Sequence, residues 1–213
     1  NIYIPKALPL TELPDERTQF TLGMYGDGDF FTMKGVVEEF FEKAGLDGRI
    51  TYDPEDKKSF LHPGRQADII YDGVKVGYLG EVHPQVCENY NIGDRVYYAD
   101  IDMPYIVEHA CFDKKYEGIA KFPASTRDIS LVVDKQVLIG TMENAIIKKG
   151  GKLLESCELF DIYEGEQVGE GKKSVAFSLV FRAKDRTLSD TEISEIMDKI
   201  LAELTGLGAV LRQ

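Results

Sequence analysis

Apolar and polar positions divide this chain into two stretches of different rhythm. From Asp29 onward, Met33, Val36, Val37, Phe40 and Phe41 recur at helical spacing, with Asp29 placed to cap and Gly45 to stop. The pattern predicts a helix over 30–44, preceded by a strand over Phe20–Tyr25 and, before that, a Pro-rich connection over Leu8–Arg17. Ala67–Tyr71 and Val74–Leu79 are short apolar runs separated by Asp72-Gly73, the strongest short hairpin signal. His83-Pro84 opens a short helix through Tyr90, and Arg95–Ile101 reads as a further strand. This first stretch is an antiparallel sheet with helices. The polar, aperiodic run Cys111–Ala120 and the segment Phe122-Pro123-Ala124-Ser125 set a domain boundary, giving domains 1–120 and 121–213.

The second stretch has a simpler order. Arg127–Val133 alternates, with Ile129, Leu131 and Val133 on one face. A helix over Gly140–Lys149, closed by Gly150-Gly151, leads to a long strand over Leu153–Tyr163. A charged, glycine-rich loop, Glu164–Lys173, precedes a strand over Ser174–Arg182 with Val175, Phe177, Leu179 and Phe181 on one face. An amphipathic helix over Asp190–Leu204, capped by Ser189 or Asp190, turns Ile193, Ile196, Met197, Ile200 and Leu204 inward, and Ala209–Arg212 is a last short strand. The order βαββαβ, with right-handed crossovers, predicts a ferredoxin-like sandwich whose sheet is covered by helices on one face and open on the other. The fold class is therefore α+β.

Composition narrows the chemistry. The 213 residues include three widely spaced cysteines, Cys87, Cys111 and Cys157, and no CxxC pair, which argues against a disulfide framework or zinc site and points to the cytoplasm. No run of about 18 apolar residues exists to cross a membrane, and the first residues do not resemble a signal peptide. The chain opens without Met and in mid-pattern, as expected of a fragment. A net charge of −12 argues against a nucleic-acid binder, but the charge is uneven. Residues 121–213 hold 13 basic and 15 acidic side chains, against 12 and 22 in 1–120.

Strand parity sorts the second stretch. Phe160 and Ile162 fall on one face, Asp161 and Tyr163 on the other; Ser130, Ser174, Ala176, Ser178 and Arg182 point to the open face. An aromatic ring there can stack an unpaired base while Asp and Ser meet its edge. The clusters Lys172-Lys173 and Arg182, Lys184, Arg186 border the same strand and could contact phosphates. Elsewhere, His62 and His83 each precede a proline and read as turn or cap residues, and Arg65 is placed to pair with Glu81.

These blocks resemble a known family. Lys121-Phe122-Pro123-Ala124-Ser125-Thr126-Arg127-Asp128-Ile129-Ser130, Glu158-Leu159-Phe160-Asp161-Ile162-Tyr163-Glu164-Gly165, Gly171–Ala183 and Asp185–Asp190 resemble, in order, the ferredoxin-fold anticodon-binding domain of bacterial phenylalanyl-tRNA synthetase beta chains. His62-Pro63-Gly64-Arg65-Gln66-Ala67 with Gly77–Pro84, and Asp29–Glu38, are similar to the class II synthetase-like, non-catalytic core of the same subunit. The resemblance implies anticodon contacts at Ser130, Asp161, Tyr163 and Ser174. It implies no cofactor in this chain, with ATP and Mg2+ used by the holoenzyme, whose alpha subunit carries the aminoacylation chemistry in a heterotetramer. The expected partners are phenylalanine tRNA and that subunit, with neither DNA nor a membrane. The turn Gly26-Asp27-Gly28 lacks an arginine to hold a triphosphate, consistent with a non-catalytic chain.

A ferredoxin-like module binding a small amino acid is the rival reading. It requires a glycine-rich turn after the first strand, where this chain has Asp134-Lys135-Gln136-Val137. The predicted boundary is directly testable. Limited proteolysis should cut between about Asp113 and Ser125 and leave a stable 121–213 piece; first cleavage inside 153–182 would refute the βαββαβ assignment.

Overall fold

The structure, a computed structural model, describes residues 1–46, 50–113, 116 and 118–212. It forms two compact units, Asn1–Lys115 and Tyr116–Gln213. Within the expected connection, residues 114, 115 and 117 lie outside the described residues.

In the first unit, β1 (Ile2–Ile4) and β2 (Asp15–Arg17) pair as a small antiparallel ribbon, Ile2 opposite Arg17. The segment expected to be wholly connecting thus ends in a strand. Three polar residues carry no alternation, so only the pairing reveals it. Next come β3 (Gln19–Tyr25), α1 (Phe30–Lys43), β4 (Ile50–Asp53), β5 (Leu61–Tyr71), β6 (Val74–Val82), α2 (Pro84–Asn89), β7 (Val96–Asp102) and α3 (Met103–His109). The five-stranded sheet has the order β3-β7-β6-β5-β4, antiparallel throughout. β4 and α3 carried no readable period in the sequence.

Helix α1 starts where predicted because Asp29 and Thr32 cap each other, Thr32 N donating to Asp29 Oδ1 at 2.7 Å. It buries Met33, Val37 and Phe41 against Ile69, Leu79, Ala99 and Ile101, whereas Val36 is left exposed. Its end needs glycine: Gly45 has φ +73°, and a Cβ there would lie 1.7 Å from the Cys111 carbonyl oxygen. The β5–β6 hairpin turns through Asp72 and Gly73, both at positive φ.

The opposite face of this sheet carries buried polar side chains that are largely paired, although Asp102 Oδ1 has no hydrogen-bond partner. Asp68 is buried and held by Lys58 at 2.6 Å and Lys75 at 2.5 Å, and buried Asp100 accepts from Thr21 and Tyr78, each at 3.2 Å. Arg65 reaches both carboxylate oxygens of buried Glu81, at 3.0 and 2.8 Å. His62 and His83 each accept a backbone N–H through Nδ1, His83 as the cap of α2. They are turn and cap residues, as their sequence context implied.

The second unit runs β8 (Ser125–Asp134), α4 (Ile139–Gly150), β9 (Leu154–Tyr163), β10 (Lys172–Phe181), α5 (Asp190–Gly206) and β11 (Val210–Leu211). The sheet order is β11-β8-β10-β9 with every neighbour antiparallel, so the chain is α+β and this unit is a ferredoxin-like βαββαβ sandwich. Its core joins Ile129, Leu131, Val133, Val175, Phe177, Leu179 and Phe181 to Met142, Ile146, Ile193, Ile200 and Leu204 of the two helices. Burial pushes the thiol of Cys157, packed at the margin of this core, up to about 12.

One irregularity departs from strict alternation. Ala176 faces Asp161 while Phe177 faces Leu159, so Phe160 is the extra residue of a bulge and is largely exposed. It is therefore not paired on the face of Ile162. The bulge lets Leu159 and Cys157 follow Phe177 and Leu179 toward the helices while Asp161 and Tyr163 share the open face.

Helix α5 is capped by Ser189, whose backbone N–H donates to Glu192 Oε2 at 3.0 Å while Ser189 Oγ accepts from Glu192 N at 3.3 Å. Arg186 donates to Glu192 Oε1 at 2.6 Å. The Ser189 backbone N–H, and then the Arg186 guanidinium, hold the Glu192 carboxyl at about 2, below its ordinary 4.5. A depressed folded-state value means that this contribution is complete above about 4.5 and is lost as pH falls toward 2. In urea unfolding, the stability gap between wild type and Glu192→Gln should close across that window; a gap constant from about pH 6 to 2 would contradict it.

Candidate nucleic-acid interface

The open face is set by the pairing of the two central strands. Ile129 opposite Phe177 and Leu131 opposite Val175 face the helices, so Ser130 opposite Ala176 and Val132 opposite Ser174 face outward. Tyr163 lies opposite Ser174, and Asp161 opposite Ala176. Four residues singled out from the sequence, Ser130, Asp161, Tyr163 and Ser174, therefore gather at one end of one face, but Ser174, expected to be open, is buried beneath its neighbours at 4% exposure. The Ser130 and Ser174 hydroxyls are 3.4 Å apart.

A residue the sequence did not single out completes the group. Arg212 follows β11, and its backbone N–H donates to the Ser130 carbonyl at 2.8 Å. Its guanidinium reaches Ser174 Oγ and Gln167 Oε1, each at 3.4 Å, and lies over the Tyr163 ring at 6.0 Å from the centroid. The only available signal was topological: the last strand of such a sandwich lies beside the first. Arg212 itself belongs to no motif.

The other predicted residues are distributed differently. Ser178 is on the same face but farther along β10, where it donates to Asp128 at 2.7 Å. Lys172 is exposed on the outward parity beside Ser174 and lines a cleft with Lys135, Glu164, Gly169 and Gly171. Lys173 is buried. Its ammonium donates to the carbonyls of Val137 at 2.7 Å and Lys135 at 3.3 Å, and burial lowers its pKa. The expected double-lysine cluster is thus one surface lysine and one internal tie.

Arg182, Lys184 and Arg186 follow the far end of β10, roughly 30 Å along the strand from Lys172 at about 3.4 Å per residue. Arg182 donates to Glu155 at 2.8 Å, and Arg186 is engaged by Asp185 and Glu192, while Lys184 is exposed. The structure does not bring these three together with Tyr163, because the seven extended residues 175–181 lie between Ser174, opposite Tyr163, and Arg182.

What gathers at the Tyr163 end is a ring, two hydroxyls, a carboxylate and a guanidinium. They can stack a planar base, meet its edge with donors and acceptors, and contact phosphate. Fold and face together define a class, a ferredoxin-fold domain of the anticodon-binding type: residues 120–212 match the family described as ferredoxin-fold anticodon binding domain. Residues 1–103 match the phenylalanyl tRNA synthetase beta chain CLM domain. The chain belongs to the phenylalanyl-tRNA synthetase beta-chain family.

Its relatives agree. It is 44% identical over 212 residues to the phenylalanine–tRNA ligase beta subunit of Clostridium acetobutylicum, covering 99% of this chain and 26% of that protein. The counterpart from Clostridium tetani is 41% identical with the same coverage. That from Symbiobacterium thermophilum is 40% identical over 94% of this chain and 24% of its own length. The chain spans about a quarter of the length of these relatives.

The two neighbouring lysines should separate in stability measurements. Lys173→Ala removes the buried ammonium that ties the Lys135 and Val137 carbonyls and should cost about 1–3 kcal/mol, whereas Lys172→Ala should stay within about 0.5 kcal/mol. Urea unfolding of both variants checks this, and equal effects would contradict the internal role of Lys173.

Proposed function

We propose that this chain is the tRNA-recognising and structural part of a phenylalanine–tRNA ligase. The convergence of Tyr163, Ser130, Ser174 and Arg212 on the open face of a domain of the anticodon-binding family carries this reading. Residues 121–213 bind the anticodon region of phenylalanine tRNA. Residues 1–120 form a class II-like, non-catalytic core that packs against other parts of the holoenzyme. The alpha subunit joins phenylalanine to tRNA with ATP and Mg2+, as part of a heterotetramer in the cytoplasm.

The first unit offers no triphosphate cradle at its glycine-rich turn. Its Gly26-Asp27-Gly28 turn is followed by Asp29, whose carboxylate caps α1, and no arginine stands beside it to hold phosphates. Among the described residues, no three His, Cys, Asp or Glu side chains gather to hold a metal ion. No catalytic step is therefore assigned to these residues.

In the second unit the work is binding. The Tyr163 ring stacks an unpaired base, Asp161 and the Ser130 hydroxyl read its edge, buried Ser174 supports Ser130 and Arg212 from below, and Arg212 and Lys172 face the backbone. The near-neutral charge of this unit leaves much of the affinity to stacking and edge contacts.

Titration with the cognate anticodon stem-loop across a salt series separates these roles. Tyr163→Ala should weaken binding by roughly 1–3 kcal/mol, the scale of one base–aromatic stack, and leave the salt slope nearly unchanged. Lys172→Ala should weaken cognate and non-cognate loops alike and flatten the slope by up to about one unit. Asp161→Ala should mainly erode discrimination between anticodons. If folded Tyr163→Ala binds as tightly as wild type, the open face is not the platform.

A further inference from the structure

Tyr163 sits at the end of an edge strand, where a tyrosine side chain would ordinarily be free to swing. Here the loop that follows lies directly against it. A Cβ placed on Gly165 would stand 2.4 Å from the Tyr163 Oη, 2.6 Å from Cζ and 3.1 Å from Cε1. The backbone at 165 therefore touches the phenol, and nothing larger than hydrogen fits between them.

This requirement differs from that of the other loop glycines. Gly169 and Gly171 have positive φ and are needed for their backbone conformation. Gly165 is not among the residues at positive φ, so its lack of a side chain matters for space.

The loop is itself held in place. Val168 N donates to the Gly165 carbonyl at 3.1 Å, and the Val168 side chain is buried. Lys135 ties the loop at both ends, pairing with Glu164 at 2.8 Å and donating its backbone N–H to the Gly171 carbonyl at 3.0 Å. Gln167 steadies the Arg212 guanidinium that lies over the ring.

We propose that Gly165 is a positioning residue for RNA recognition. By leaving room for the phenol against the 164–168 loop, it presets the Tyr163 ring as a platform before RNA arrives. A ring already ordered does not lose that freedom on binding, so residue 165 influences affinity through Tyr163 alone. This rests on the reading of the open face as the anticodon platform.

A double-mutant cycle on the whole chain tests it, using Gly165→Ala, Tyr163→Ala and the pair against the phenylalanine anticodon stem-loop. Gly165 lies outside the core cluster and the Tyr163 ring can turn into solvent, so Gly165→Ala should keep a wild-type thermal midpoint within about 2 °C. It should weaken binding about threefold to tenfold with an unchanged salt slope. In the Tyr163→Ala background it should have no further effect.

A weakening by Tyr163→Ala without one by Gly165→Ala, or an equal effect of Gly165→Ala in both backgrounds, overturns the positioning role and leaves the platform reading standing. Loss of the fold in Gly165→Ala also overturns it, since residue 165 would then support the domain rather than the ring. In that case Tyr163→Ala alone still tests the platform, and a neutral Tyr163→Ala overturns both.

Discussion

The arrangement of the open face depends on the pairing of β8 with β10. Seven apolar side chains, three from β8 and four from β10, must face α4 and α5 together, and a strand's two-residue period then assigns every remaining position to the other side. A slip of one residue along either strand would turn its whole apolar set into water. At about 1.5–3 kcal/mol for each large side chain, that cost exceeds anything the polar residues of the open face could return. Ser130, Ser174 and Ser178 are outward because their neighbours cannot be.

The two outer strands bring what the central pair lacks. On one side the bulge at Phe160 changes the phase of β9, keeping Cys157 at the core margin while Asp161 and Tyr163 lie on the open face. On the other, β11 is only two residues long, yet it pairs with β8 and delivers Arg212 to the same end of the sheet. The loop between β9 and β10 closes this end. Its backbone at Gly165 lies against the Tyr163 ring, and buried Lys173 hydrogen-bonds the neighbouring turn.

Charge is used differently in the two units. In the first, buried Asp68 and Glu81 are matched by Lys58, Lys75 and Arg65, and Asp100 by hydroxyl donors. Groups committed to one another in this way hold a sheet together and are poorly placed for phosphate chemistry. In the second unit, Arg182 and Arg186 are likewise engaged by acids, which leaves the Tyr163 end to rely on its ring, hydroxyls and a single arginine.

Much of this was written in local sequence. The alternation Ile129, Leu131, Val133 and Val175, Phe177, Leu179, Phe181, the caps at Asp29 and Ser189, and the Asp72-Gly73 turn act over a few residues, so they specify elements and faces without the rest of the fold. The common face of Ser130, Asp161, Tyr163 and Ser174 was legible for the same reason, since parity is a local property, but the burial of Ser174 was not. Tertiary structure decided the rest. The β1–β2 ribbon and β4 exist through pairing with distant strands, and the bulge at Phe160 appears only against β10. Lys172 and Lys173 are adjacent and chemically identical, yet one is exposed and the other hydrogen-bonds two carbonyls thirty-six and thirty-eight residues away. Arg212 joins residues thirty-eight and forty-five positions distant, and Gly165 matters for the space beside a ring. Periodicity encodes which way a side chain points, but what it meets there depends on chain segments that only folding brings together.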